Sequence, residues 1–339
     1  KERQEIHERI GSVIENLFQD RLSDFYETLA FHFHRSKSIP KALEYLTKAG
    51  KKCLKRYAVE EAHQYYQMAF DLLSKESNRS EADNKLLIGI LTDWALVYYY
   101  RGGFRQLSEL LISFEEVANS LSDNQEKGMY YAWVGFVLDN RFEPKKSYQY
   151  LLTALDLGEQ IRSDSVVGYA SAWLTWTCCS LSQFDEAIEH GNRARKIASD
   201  LESDPYVYFK SLAGMGVTYF FKGESQHAIN IGQKLLEFGV DRGNIRSQAI
   251  GYYILGYGHW AEGNFDKAIE VAEKAVQIAV DPFYAVIPNM VLGFCHLVKG
   301  QHEIAKKYLN KIKSFDEERG FELLGIPAQA CLSAVSVAE

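Results

Sequence analysis

The chain reads as an all-α protein, a right-handed solenoid of about eight stacked helix pairs. Three observations predict this. A small or apolar residue recurs at Ala42, Ala62, Leu107, Ser147, Ala187, Ala228, Ala268 and Ala305, at successive intervals of 20, 45, 40, 40, 41, 40 and 37 residues. Five positions before most of these markers stands a turn residue: Gly102, Ser182, Gly223, Gly263 and Gly300. Twelve before most of them stands a small residue suited to a close helix crossing: Ala30, Ala95, Gly135, Gly216, Gly256 and Gly293. A self-similar period of this length means supersecondary units that cannot bury their apolar faces alone and therefore stack.

Taken in order, residues 1–75 predict an N-terminal helical segment with irregular pairs, since the first two markers lie only 20 residues apart. Residues 74–84, with Ser74, Ser77, Asn78 and Ser80, are the least helical stretch and predict a join. Residues 85–339 predict regular repeats of roughly 40 residues, the whole forming one continuous solenoid. Around Leu107 and Ser147 the spacing holds but the motif is degenerate. At Ala187 the small-residue series is interrupted by Trp176, which predicts looser or rotated packing there. An aromatic three before the marker (Phe104, Phe184, Phe265) should plug the gap within a pair. Residues 325–334 read as a first helix whose partner would fall beyond Glu339, so the last repeat is expected to be truncated and its helix to expose apolar surface.

The clearest copy is Tyr252-x-x-Leu255-Gly256-x-x-His259-x-x-x-Gly263-x-Phe265-x-x-Ala268-x-x-x-Ala272-x-x-Ala275. It resembles the tetratricopeptide pattern: aromatic-x-x-Leu-Gly, a mid-repeat Gly and an Ala-x-x-x-Ala-x-x-Ala tail. The helix-closing Pro of that family is matched only loosely, by Pro205 and Pro282. A period above the family's usual length of about 34 implies longer helices. Residues 5–75 carry a second resemblance through Leu29-Ala-Phe-His32, Lys41-Ala-Leu-Glu-Tyr-Leu46, Tyr57-Ala-Val-Glu-Glu-Ala62 and Ala69-Phe-Asp-Leu-Leu73. They are similar to the helical segment that follows the ATPase module in bacterial STAND-type regulators and ATPase-coupled nucleotide cyclases. These are core and turn positions, so the resemblance implies architecture and a signalling context rather than chemistry.

Composition sets limits. The net charge of −7 argues against a nucleic-acid partner. Apolar runs are short, and the charged start Lys-Glu-Arg-Gln-Glu is followed by no apolar run, so neither a membrane span nor a signal peptide is expected. Five cysteines (Cys53, Cys178, Cys179, Cys295, Cys331) without C-x-x-C or Cys/His ligand spacing predict free thiols in a reducing, cytoplasmic setting and no metal or cofactor. Lys48, Lys51, Lys52, Lys55 and Arg56 form a basic cluster, read first as a solvated helix face and second as a patch for an acidic partner.

Catalytic motifs are absent. There is no phosphate loop, dinucleotide fingerprint, Gly-x-Ser-x-Gly or His-Glu-x-x-His. His32 and His34 diverge on a helix, and the adjacent pairs Glu60-Glu61 and Glu115-Glu116 do not converge. A non-enzymatic binding role is left.

The tetratricopeptide resemblance implies that the first helix of each pair lines a concave groove. Slots 18, 15, 11, 8 and 7 before the marker then supply the candidate binding residues. These are Tyr99, Tyr100, Phe136, Asp139, Tyr169, Trp173, Lys210, Phe220, Tyr253, Tyr257, Trp260 and Phe294, with Phe221 beside them. The earlier copy gives Glu27, Phe31, His34 and Arg35, and Asp93 is a further polar candidate. Aromatic rings supply contact area at low entropy cost, although rings at helical spacing also serve as core. The row suits a peptide or partner domain. Alternatives are a small-molecule effector controlling an upstream ATPase or cyclase of the same chain, and self-association as a homodimer through the C-terminal helix.

Overall fold

The computed structural model, which describes residues 1–75, 78–200 and 205–338, buries every repeat marker. Ala42 is 2% exposed and the other seven are fully buried, so the recurrence is the mark of helix-on-helix contact. The described residues are helical with short connections, and the chain gathers into two compact units, Lys1–Tyr98 and Tyr99–Glu339. None of the described helices is long and apolar enough to cross a membrane.

The first unit contains α1 (Glu2–Leu17), a 3-10 turn (Gln19–Phe25), α2 (Tyr26–His34), α3 (Ile39–Lys55), α4 (Val59–Ser74) and most of α5 (Glu81–Arg101). Leu29, Phe33, Tyr45, Leu46 and Tyr66 form its core. Two glycines permit close approach: a Cβ on Gly11 would stand 2.7 Å from the Phe33 ring, and one on Gly50 would stand 2.8 Å from the Tyr66 ring. The expected irregular join is narrower than residues 74–84, because α5 already starts at Glu81; positions 76–77 lie outside the described residues. Within the basic cluster, Lys48 pairs with Glu44, Lys51 with Asp93, and both Lys52 and Arg56 with Glu27. Those charges are met inside their own unit. Of the early groove candidates, Phe31 is exposed under the Arg35 guanidinium at 3.8 Å.

The second unit continues with α6 (Phe104–Ser113), α7 (Glu115–Ser120), α8 (Asn124–Asn140), α9 (Pro144–Gln160), α10 (Asp164–Ser180), α11 (Phe184–Asp200) and α12 (Pro205–Phe221). Then follow α13 (Ser225–Asp241), α14 (Ile245–Ala261), α15 (Phe265–Ile278), α16 (Pro282–Val286), α17 (Pro288–Val298), α18 (His302–Arg319) and α19 (Glu322–Ala338). Antiparallel pairs α8/α9, α10/α11, α12/α13, α14/α15 and α17/α18 stack in sequence. Their turns are built alike. Gly102, Ser182, Gly223, Gly263 and Gly300 all have φ between 62° and 75°, the left-handed region that ends a helix. Phe142 fills the same slot with φ 60°, a position for which sequence inspection finds no glycine to mark it.

Three expectations are corrected in detail. Pro205 and Pro282 open α12 and α16 rather than closing helices; proline's missing N–H is harmless in the first turn. The small-residue slot twelve before Ala187 is occupied by Thr175, not Trp176. Thr175 is fully buried and its hydroxyl donates to the Ser171 carbonyl at 2.9 Å. Trp176, one position on, fits because Gly214 lies beneath it, where a Cβ would stand 2.8 Å from its Nε1. Of the three gap-filling aromatics, Phe104 is fully buried, whereas Phe184 and Phe265 are half-buried.

The start and the end of the second unit meet. The Phe104 and Phe321 rings lie 5.2 Å apart. Arg319 Nη1 donates to the Arg101 carbonyl at 2.6 Å, Arg105 Nη1 donates to the Glu317 carbonyl at 3.1 Å, and Arg141 pairs with Glu322 at 2.8 Å. Helix α19 packs on α18, α17 and α8, and Ile326 is its exposed large apolar residue among those described, at 47%.

Candidate functional site

The sequence-predicted residues of the second unit fall into two groups. Tyr99, Tyr100, Phe136, Asp139, Tyr169, Trp173, Lys210, Tyr253 and Tyr257 are buried, none more than 8% exposed. Phe220, Trp260 and Phe294 are half-buried, and Phe221 is 61% exposed.

The buried group forms a closed interior. Phe136 and Trp173 rings meet at 4.0 Å, and Tyr99 makes edge contacts with Phe136, Trp173 and Tyr206. Lys210 Nζ lies in this aromatic box, 4.6 Å from the Trp173 centroid and 4.3 Å from that of Trp176. It donates to Tyr99 Oη at 3.1 Å, and Tyr99 Oη shares a 2.6 Å hydrogen bond with Tyr284 Oη. Burial drives the Lys210 ammonium well below its ordinary value, opposed by Asp139. Burial likewise pushes the Asp139 carboxyl up to about 7, against the hydroxyls of Ser180 and Thr177 and the charge of Lys210. Among the described residues, Asp139 Oδ1, Ser171 Oγ and Trp173 Nε1 are buried and find no hydrogen-bond partner. Beside the box, Arg246 grips Asp281 through Nε at 2.7 Å and Nη2 at 2.9 Å, with its guanidinium 3.6 Å over the Tyr100 ring. Burial opposes the Arg246 charge, but Tyr100 and Asp281 hold it above its ordinary value.

The second group forms a ledge at the C-terminal ends of α12, α14 and α17. Trp260 lies 4.0 Å from Phe294 and 5.0 Å from Phe220, stacks near Tyr257, and Phe221 adjoins Phe220. Three successive repeats thus present adjacent rings at one solvent edge. Val298, at the end of α17, is 49% exposed.

Several interior residues are missed by sequence reasoning. Trp176 occupies the slot eleven before Ala187, so its register places it, whereas Trp173 stands off that spacing. Arg246 and Asp281 lie 35 positions apart, nearly a repeat period, which is the available signal for their pairing. Tyr206, Phe283 and Tyr284 carry none.

No family model and no curated protein sequence matches the chain. Solved structures do. A Rap protein complexed with competence and sporulation factor has TM-score 0.60 at 11% identity, over 98% of this chain and 100% of that one. NprR in complex with its cognate peptide NprX has TM-score 0.59 at 13% identity, over 86% and 83%. A STAND protein with a tetratricopeptide repeat sensor from Pyrococcus horikoshii has TM-score 0.54 at 17% identity, over 93% of this chain. The fold is the tetratricopeptide-repeat solenoid. The chain spans about half, 50%, of the STAND protein's length. In tetratricopeptide terms the buried group sits on the first helices of successive repeats, and the ledge on the exit ends of three of them.

Proposed function

We propose that this tetratricopeptide region is a non-catalytic interaction scaffold within a cytoplasmic signalling protein, and that it docks a peptide or partner segment on the aromatic ledge. The observation that carries this reading is the row Phe220, Phe221, Trp260 and Phe294, in which rings from three consecutive repeats share a solvent edge. Contiguous exposed aromatics are uncommon on soluble surfaces and common at binding hot spots. The fold adds support, since NprR is solved with its cognate peptide and the STAND protein's repeats are described as a sensor. The buried row is the framework of the scaffold: it holds consecutive first helices in register and keeps the ledge rigid. On this reading the modules it serves lie elsewhere in the same protein.

A second reading has its own observation. The polar groups closed inside the aromatic interior, Lys210 and Asp139 above all, suit a small-molecule effector that enters when the unit opens. Self-association through α19 would rest on Ile326, its exposed large apolar residue among those described.

A thermal-melt screen against pooled peptides and pooled metabolites separates these readings, because a ligand that binds only the folded state raises the melting point by mass action. Shifts with apolar or aromatic peptides, lost in Trp260→Ala, support the scaffold. Shifts with a metabolite that survive Trp260→Ala and vanish in Lys210→Met support the effector reading and overturn the ledge.

A further inference from the structure

Three donor groups outside the interior and the ledge converge where α10 crosses α11. Cys178 is fully buried on α10. Glu186 and His190 stand one turn apart on α11, with side chains 34% and 14% exposed. Cys178 Sγ, a Glu186 carboxylate oxygen and a His190 ring nitrogen all lie within 4.8 Å of one another, and His190 Nε2 is 3.7 Å from Glu186 Oε1. We propose that Cys178, Glu186 and His190 form a binding site for a thiophilic divalent cation of the zinc class, with a fourth position open to water or a ligand.

The donor set favours that chemistry. One thiolate, one imidazole and one carboxylate suit zinc; magnesium and calcium prefer all-oxygen shells. Zinc bonds of about 2.0–2.3 Å in a tetrahedral centre place neighbouring ligand atoms about 3.3–3.7 Å apart. The His190–Glu186 separation is already close to that, and the thiol comes into range by a side-chain adjustment of about an ångström. The surroundings also fit. Tyr148 Oη donates to Glu186 Oε1 at 2.6 Å, orienting the carboxylate from the neighbouring repeat as outer-shell groups do. The half-exposed Glu186 and His190 give the ion a path from solvent, while the sulfur sits at the dry end.

Binding is balanced by proton release: the Cys178 thiol gives its proton to solvent as the sulfur–metal bond forms, and His190 binds as neutral imidazole. Because the thiol must lose its proton to bind, affinity rises with pH. An ion there clips the helices of one repeat together beside the Ser182 turn. Searching the sequence for C-x-x-C or Cys/His spacing misses it because the donors come from two helices.

The test uses the chelator-treated chain titrated with Co²⁺, then Zn²⁺. Bound Co²⁺ is expected to give thiolate-to-cobalt charge-transfer absorption that Zn²⁺ abolishes, and Zn²⁺, unlike Mg²⁺, to raise the melting temperature. Cys178→Ser and His190→Gln should lose the absorption, Cys331→Ser should keep it, and Tyr148→Phe should weaken binding about tenfold. A folded wild-type chain with no charge-transfer band overturns the site, as does a band that persists in Cys178→Ser. If Cys178→Ser does not fold, His190→Gln at the solvent edge decides: unchanged Co²⁺ affinity there overturns the proposal.

Discussion

Lys210 Nζ donates to Tyr99 Oη across 3.1 Å although 111 positions separate the two residues. The bond ties α12 to the start of the second unit, and Tyr284 extends it to α16. It is made deep in the interior, where burial disfavours the charged ammonium.

Replacing that amine with an apolar group of similar length should therefore stabilise the fold. Lys210→Met is expected to gain about 1–2 kcal/mol at neutral pH, measured by urea unfolding. The sign with pH follows from the depressed folded value. Unfolding lets the amine take up a proton, so the wild type gains stability as pH rises from that value to the ordinary 10.5. The advantage of Lys210→Met should shrink over the same window.

Asp139 gives the complementary test. Its folded value of about 7 exceeds the ordinary 3.8, so the unfolded chain ionises first. Its contribution is fully present below about pH 4 and lost as pH rises through about 7. Asp139→Asn keeps a neutral group there and should remove that decline. At pH 7.5 it is expected to be more stable than the wild type by up to about 4 kcal/mol.

Phe142 holds φ 60° at a turn where later repeats use Gly223, Gly263 and Gly300, and it is 52% exposed. A side chain in this region is strained and the exposed ring gains little from packing. Phe142→Gly should raise stability by about 0.5–1 kcal/mol, read as a higher urea midpoint at unchanged slope.

The two aromatic groups should respond differently to truncation. Tyr253, 2% exposed, is core, and Tyr253→Ala should lose about 3–5 kcal/mol of stability. Trp260 is half-buried on the ledge, so Trp260→Ala should keep the helical signal and weaken peptide binding by on the order of 2 kcal/mol, about 30-fold in Kd.

The repeat was legible because helix crossings demand small residues at fixed intervals. Ala187, Ala228 and Ala268 could be placed on second helices from spacing alone, and Gly223 and Gly263 at their turns. Phe142 escaped notice because a left-handed residue need not be glycine when the turn around it is fixed by packing. Burial was the harder quantity. Tyr253 and Trp260 occupy two slots of one repeat, yet one faces the interior and the other the edge. That difference depends on α17 and α12 on either side, and on the contact of α6 with α18 and the α18–α19 connection that closes the second unit. No periodicity within a single repeat reports such a closure. Arg246 and Asp281 were hidden for the same reason, being charged residues made compatible with the core only by each other.

The ledge is tested most directly by photo-crosslinking from within it. A benzophenone side chain placed at position 221, where Phe221 is 61% exposed, is compared with one at position 142, where Phe142, on the turn after α8, is 52% exposed. With pooled apolar peptides added, the account predicts crosslinks from position 221, suppressed by Trp260→Ala, and none above background from position 142. Equal capture at both positions, or none at position 221 from pools that shift the melting point, would contradict it.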